Sequence, residues 1–126
     1  MHGSIKDLPV ALDLEEVRGQ YAEWGNLQAG FETFKTDIDM TPLLKGLPDD
    51  LCQCPHWGYV IKGRMIIRYA NREEVINAGD AYYLAPGHNP FLEAGTQVIE
   101  FSDKEGYART TEVIGKNLAA LQGSAS

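Results

Sequence analysis

Apolar and polar residues alternate over several short stretches of the chain, and turn-forming residues separate these stretches. The alternation is clearest over residues 27–38 and 52–62. Shorter apolar stretches follow as RMIIRY, EEVI, AYYLA and GTQVIEFSD, with glycine, proline, asparagine or aspartate between them. An alternation of period two places one set of side chains on a buried face, and short strands separated by turns every 8–12 residues or so are typical of a sandwich or barrel. The pattern therefore predicts an all-β domain.

Two stretches near the ends of the chain have helical spacing instead. Asp13 followed by Glu16 is typical of a helix start, and apolar residues at helical spacing follow until Gly19 interrupts them. We therefore expect a short N-terminal helix. In TTEVIGKNLAALQ the apolar residues again repeat at helical spacing behind a threonine cap. This repeat predicts a C-terminal helix over about residues 110–121, packed on the outside of the sheet.

Length and charge restrict the classes of function. A chain of 126 residues suits one domain, spanning residues 1–126. Its formal net charge of −7 argues against nucleic acid as a partner, because binding to phosphates needs cationic side chains. No apolar run approaches the roughly 20 residues of a membrane-spanning helix, so no membrane partner is expected. The N-terminus does not have the pattern of a secretory signal, so we expect a cytoplasmic location and reduced thiols.

The stretch CQCPHWGYVIKG, residues 52–63, carries the candidate chemistry. Cys52, Cys54 and His56 lie at every second position, so a regular strand places all three side chains on one face. If that face is the interior, His88 at the end of an adjoining strand can complete the set. Thiolate and imidazole favour zinc, or another borderline-to-soft ion such as iron, over magnesium or calcium. The pattern thus predicts a divalent metal site at these four residues.

Two alternatives to this metal site stay open. Free cysteine is often a small buried hydrophobe, and Pro55 interrupts the ladder of backbone donors in this stretch. The same residues would then line a metal-free pocket. A redox role for the pair Cys52 and Cys54 is the third interpretation, although a bridge between cysteines so close in sequence is strained. His88, which follows Pro86 and Gly87, fits a turn at the surface as well as a ligand.

Aromatic residues near these stretches are candidates for the lining of a substrate pocket. Small barrels hold ligands in an apolar mouth that has few polar groups. The predicted pocket residues are Trp57, Tyr59, Tyr82 and Phe91. Because side chains of a strand alternate between faces, about half of them can face inward. The alternative role of each is in the core or at an interface.

Two motifs resemble those of the cupin superfamily, which consists of small jelly-roll β-barrels. PHWGYVIKGRM is similar to the strand, glycine and strand of the first cupin motif. GDAYYLAPGH is similar to the second, in which Gly-Asp opens a strand that ends at Pro-Gly. The spacing between the motifs is also similar, and the resemblance covers about residues 27–103. It implies an all-β, cupin-type jelly-roll barrel as the fold. The full prediction is this barrel with a short N-terminal helix and a C-terminal helix packed outside.

The resemblance departs from the family at the metal positions. Cupins usually bind metal through three histidines and one glutamate. Here Cys52 and Cys54 stand at the positions of the paired histidines, and His56 stands at that of the glutamate. At the later histidine position this chain has Pro90 or Phe91. The resemblance therefore implies a range of activities, among them dioxygenases, isomerases and lyases, without choosing one.

Two hypotheses for the function follow. The first is a small cupin that binds a metal ion, a small molecule or both in the barrel interior, with its activity unassigned. The second is a metal-free binding or sensor protein that holds a small molecule without changing it. By analogy with small cupins we also expect a homodimer, formed through an edge strand such as that over residues 27–38.

Overall fold

Ten strands and one C-terminal α-helix are present in the structure, a computed structural model that describes residues 1–125, apart from the side chains of 124 and 125. The strands are β1 (Val10–Asp13), β2 (Val17–Trp24), β3 (Leu27–Phe34), β4 (Ile38–Asp39), β5 (His56–Lys62), β6 (Arg64–Arg68), β7 (Glu73–Asn77), β8 (Ala81–Leu84), β9 (Asn89–Leu92) and β10 (Gln97–Asp103). The helix α1 spans Lys104–Ala125, and two single-turn 3-10 helices, Thr41–Leu43 and Pro48–Asp50, lie between β4 and β5.

The strands form two antiparallel sheets that enclose one core. The larger sheet has the order β1-β2-β3-β10-β5-β8, and the smaller has the order β4-β9-β6-β7. Apolar side chains from both sheets are buried against each other. They are Phe34, Val60, Met65, Ile67, Ile76, Tyr82, Leu84, Leu92 and Val98. The alternation of period two in the sequence therefore reflects these inner faces, and the predicted all-β architecture is confirmed.

The predicted N-terminal helix is wrong, because this stretch forms β1 and β2. The side chains at Val17 and Tyr21 follow the alternation of a strand as well as the spacing of a helix turn. Long-range pairing selects the strand: β2 pairs over its whole length with β3, from Val17 opposite Phe34 to Trp24 opposite Leu27. Tertiary pairing thus overrides the local helix signal, and the larger sheet begins at Val10 rather than near residue 27.

Strand β3 is an interior strand, so residues 27–34 of the predicted edge segment 27–38 do not lie at an edge, whereas Ile38 belongs to the edge strand β4 of the smaller sheet. Strand β3 pairs with β2 on one side and with β10 on the other. The edges of the larger sheet are β1 and β8. An edge-to-edge dimer through residues 27–34 is therefore excluded, because every backbone group it would use already belongs to a ladder.

The C-terminal helix is confirmed, but it begins at Lys104, six residues before the predicted start. The carboxylate of Asp103 caps it by accepting a hydrogen bond from the backbone N–H of Gly106 at 2.8 Å. Farther along, Asn117 Nδ2 donates to the carbonyls of Leu43 and Lys45, both at 2.8 Å. These bonds hold α1 across one end of the space between the sheets. Nowhere in the described residues is a helix both long enough and apolar enough to cross a membrane.

Candidate metal centre

Backbone hydrogen bonds bring Cys52 and His88 together, although 36 positions of sequence separate them. The N–H of Cys52 donates to the carbonyl of His88 at 2.9 Å. In return, the carbonyl of Cys52 accepts hydrogen bonds from the N–H groups of Gly87 at 2.8 Å and His88 at 3.2 Å. Gly87 has φ +92°, a conformation that favours glycine, which explains the Pro-Gly turn before His88. These hydrogen bonds fix the backbone positions of Cys52 and His88, whose side chains enter the same space.

His56 is the first residue of β5, where it lies opposite Ser102 of β10 and Leu84 of β8. Its Nδ1 lies 2.6 Å from Ser102 Oγ and 3.1 Å from Glu100 Oε1. Because Nδ1 faces these two oxygen atoms, we assign the proton of the neutral imidazole to Nδ1. The lone pair of Nε2 then faces Cys52 Sγ, which lies 3.7 Å away.

The His88 imidazole is held in the same tautomer. Its Nδ1 donates to the carbonyl of Ala85 at 2.7 Å, an acceptor that leaves no other assignment for the proton. The His56 and His88 rings meet edge to face with their centroids 5.1 Å apart. One ligand atom from each of Cys52, His56 and His88 lies within 4.8 Å of the others, and all three residues are buried. The structure thus brings together three of the four predicted metal ligands.

Cys54, the fourth predicted ligand, lies outside this group. Residues 52–55 are not part of a regular strand, because β5 begins only at His56. The Cys54 side chain packs instead against α1, where a Cβ on Gly106 would come within 3.2 Å of its Sγ. Its nearest polar partner is the carbonyl of Pro55, at 3.6 Å. The prediction that three side chains of one regular strand share a face fails here because the strand is not regular over this span.

Burial keeps the three converging groups neutral. Desolvation raises the pKa of the Cys52 thiol to about 11. It lowers the pKa of His56 to about 4 and that of His88 to about 4 as well. At neutral pH the two imidazoles are therefore ready to coordinate, whereas the thiol must lose its proton first.

These pKa shifts predict how zinc binding depends on pH. Binding displaces one proton, that of Cys52, so the affinity should rise about tenfold per pH unit between about pH 6 and pH 8. The imidazoles release no protons on binding in this pH range, because their pKa values lie below it. Calorimetry in buffers of different ionisation enthalpy should count one released proton per bound ion. Two released protons would mean that a second group, Cys54 or Glu100, also loses its proton on binding.

Glu100 is a functional residue that the sequence reasoning missed. It lies in β10 between Gly30 of β3 and Gly58 of β5 on the inner face of the larger sheet. The two glycines leave room for tyrosine rings, since a Cβ on Gly30 would meet Tyr21 at 2.7 Å and one on Gly58 would meet Tyr82 at 2.6 Å. The Tyr82 hydroxyl donates to Glu100 Oε2 at 2.6 Å. Glu100 therefore connects Tyr82, through this hydrogen bond, with His56, whose Nδ1 lies 3.1 Å from its other oxygen.

Replacing Glu100 with glutamine should lower the zinc affinity about tenfold. The substitution keeps the shape of the side chain but removes the charge that holds the His56 imidazole with Nδ1 protonated. A chelator-competition titration of wild type and Glu100→Gln at one pH measures the difference. Equal affinities would show that this carboxylate does not help to hold the ligand.

A cavity of about 120 Å³ lies beside the three ligand residues. Its walls come from both sheets, from the connection between β4 and β5, and from α1. The polar lining consists of Cys52, His56, His88, Glu32, Glu100, Tyr107, Thr110 and Thr111. The apolar lining consists of Phe34, Met40, Leu44, Met65, Leu84, Pro90, Leu92, Val98 and Ile114. Helix α1 therefore forms part of the site.

The structure does not place the predicted aromatic residues on the wall of this cavity. Trp57 and Tyr59 lie on the outer face of β5, with 47% and 45% of their surface exposed, because they alternate with the inward residues of that strand. Trp57 stacks on Tyr83 of β8 at a centroid distance of 5.3 Å. Phe91 is half-buried in β9, opposite Ile66. Tyr82 faces the interior but reaches the cavity only through its hydrogen bond to Glu100.

Comparison with solved structures identifies the fold. An RmlC-like cupin from Shewanella frigidimarina has a TM-score of 0.55 and 15% identity, over 80% of this chain and 88% of that one. KdgF from Halomonas sp. has a TM-score of 0.53 and 14% identity, over 82% and 96%. HppE, solved both in an apo form and with FeII, has a TM-score of 0.55 and 12% identity in its apo form, over 81% of this chain and 57% of that one. No family model and no curated protein matches the sequence. The chain thus has the cupin fold, as its two motifs predicted.

Proposed function

We propose that this cupin-fold chain binds one divalent metal ion, zinc or iron, through Cys52, His56 and His88, and holds a small molecule in the adjoining cavity. One observation carries the proposal: both imidazoles are held with Nδ1 protonated, so both Nε2 lone pairs are directed to the space that Cys52 Sγ enters. Hydrogen bonds that fix the second ring nitrogen are typical of metal-ligating histidines.

The donor set fits zinc best and iron second. One thiolate with two imidazoles is a ligand mixture that zinc accepts readily, and three protein ligands leave a position open. Iron is retained because HppE, a protein of the same fold, has been solved with FeII. When bound, either ion would supply a Lewis acid that polarises an oxygen of the small molecule. The fold alone selects no reaction.

The residues of the chain prepare the site for this role. Glu100 and Ser102 orient His56, and the carbonyl of Ala85 orients His88. Apolar side chains of both sheets, together with Ile114 of α1, line the cavity. Beside these apolar side chains, electrostatic interactions with a bound molecule are stronger than they would be in bulk water.

A metal-free small-molecule-binding protein is the second candidate. The observation that favours it is that, among the described residues, no fully buried side-chain nitrogen or oxygen lacks a hydrogen-bond partner. The site is therefore stable as a lined pocket, with the Cys52 thiol protonated and both imidazoles neutral. In this case the protein would bind a ligand without changing it.

Elemental analysis separates the two candidates. The protein is purified without added metal, stripped with a chelator and then titrated with Zn²⁺ or Fe²⁺ in the absence of oxygen. We expect one ion per chain for wild type and a strong loss for His56→Ala. A ratio near zero for wild type after titration would refute the metal-binding proposal and leave the metal-free pocket.

We also propose a homodimer, now through the outer face of the larger sheet rather than through the edge over residues 27–34. Trp57, Tyr59 and Tyr83 form an exposed aromatic surface on β5 and β8, and aromatic residues are enriched in interfaces. Light scattering should give twice the chain mass of 13.9 kDa at micromolar concentration. A mass of one chain would contradict this part of the proposal.

A further inference from the structure

The cavity beside Cys52, His56 and His88 limits the size of its ligand. Its volume is about 120 Å³, and a protein cavity of about 150 Å³ holds benzene. The part of a ligand that lies inside the cavity is therefore about six heavy atoms in size. Most of the wall is apolar, with Phe34 and Leu44 among its large side chains. A ligand that fills the cavity must accordingly have an apolar body.

The charged groups of the cavity wall are all acidic. Glu32 of β3 and Glu100 of β10 line it, and within the described part of the chain no lysine or arginine does. Desolvation raises the pKa of both carboxyl groups, and the neighbouring Glu100 raises that of Glu32 further. Both groups would therefore gain from a positive charge or a hydrogen-bond donor that enters the cavity.

Glu32 has a free position for such a donor, and Glu100 does not. Both oxygens of Glu100 are used, one by the Tyr82 hydroxyl at 2.6 Å and the other by His56 Nδ1 at 3.1 Å. At Glu32, the Tyr21 hydroxyl donates to Oε2 at 2.9 Å and is the one hydrogen-bond donor to this residue in the described chain. A carboxyl group has acceptor capacity for more than one hydrogen bond whether it is ionised or protonated. Oε1 of Glu32 is therefore left to serve a ligand.

We propose that the cavity binds a small molecule with an apolar body and a hydrogen-bond-donating head, an ammonium or a hydroxyl group, that Glu32 accepts, and that it rejects anions. The inference names the ligand class of the site described above and rests on the proposed function. Glu32 is not one of the three proposed metal ligands, so it keeps this role whether or not an ion is bound. Among the described residues, no lysine or arginine lines the cavity to pair with an anion.

Three probes of matched size test this ligand class: butylamine, butan-1-ol and propionate. Each is titrated into the zinc-loaded protein, and binding is followed by the amide NMR signals of residues that line the cavity. We expect butylamine or butan-1-ol to bind at least tenfold more tightly than propionate. The amine and the alcohol have the same chain but present an ammonium and a hydroxyl group at neutral pH, so the ratio of their affinities tells an ammonium site from a hydroxyl site.

Two variants assign the preference to Glu32. Glu32→Gln keeps the shape and removes the charge, so the affinity for butylamine should fall at least tenfold. Tyr21→Phe removes the competing hydroxyl and leaves the carboxylate, so the affinity should be equal to or higher than that of wild type. Tight binding of propionate, undiminished binding of butylamine to Glu32→Gln, or no shift of cavity signals with any probe would overturn the inference.

Zinc content of the same samples separates this inference from the metal proposal. If zinc binds and propionate is preferred, the ligand class is wrong and the metal site stands. If no zinc binds and butylamine still binds in a manner that depends on Glu32, the metal proposal fails and the ligand class stands.

Discussion

Replacing Cys52 with serine lowers the zinc affinity by about 100-fold or more in this account, whereas replacing Cys54 with serine changes it by less than about threefold. Cys52 Sγ faces His56 Nε2 at 3.7 Å in the proposed site. Cys54 lies against α1 beside Gly106 and contributes nothing to the group of converging ligands. The two cysteines are thus a matched pair within one chain. A chelator-competition titration of both variants measures the difference.

Two controls make this comparison decisive. Circular dichroism and a denaturation curve show whether each variant keeps the fold, which matters because both thiols are buried. The pH dependence of zinc binding should vanish in Cys52→Ser, because no thiol proton is released, and should persist in Cys54→Ser. Similar losses of affinity in the two variants would contradict the assignment of a single thiol ligand.

Replacing Val60 with alanine should lower the free energy of unfolding by about 2 to 3 kcal/mol. The Val60 side chain is fully buried between the two sheets, so its loss removes apolar contacts and leaves a cavity. Val75→Ala is the matched control, because 52% of Val75 is exposed at the edge strand β7. That substitution should cost less than about 0.5 kcal/mol. Urea denaturation of the metal-free proteins measures both values.

The outcome for the two valines also tests the position of the core. If Val75→Ala lowered the free energy of unfolding more than Val60→Ala, the two sheets would have to pack through the faces opposite to those in the structure. The inward assignment of His56 would fail with it, because His56 and Val60 share one face of β5.

The sequence predicted the fold well because its signals are local. Alternation along strands and the two glycine-containing motifs depend on residues close together in the chain. The N-terminal helix was the exception: Asp13 and Glu16 form a valid local cap signal, but β2 pairs with β3 along its whole length. Val17 and Tyr21 fit the spacing of a helix and the alternation of a strand equally well. The pairing with β3 has to be known before the two can be distinguished.

The candidate site was predictable in part for the same reason. Cys52 and His56 share a short stretch of sequence, and His88 follows a recognisable Pro-Gly turn. Whether Cys54 shares their face depends on where β5 begins, and no local signal marks that residue. The exclusion of Cys54 was therefore visible only in the structure.

Glu32 and Glu100 were missed because their role depends on which strands are neighbours. Each belongs to a stretch whose alternation places it inward, and Gly30 and Gly58 are unusual in strand interiors. These signals acquire meaning only when β10 is known to lie between β3 and β5. That order joins segments about 40 to 70 positions apart, which local patterns do not encode.

X-ray absorption at the zinc edge of the zinc-loaded protein tests the proposed centre most directly. The account predicts one sulfur at about 2.3 Å and two imidazole nitrogens at about 2.0–2.1 Å. A shell with two sulfurs would show that Cys54 also coordinates, and a shell with none would show that the Cys52 thiol stays outside. Either result would contradict a centre made of Cys52, His56 and His88.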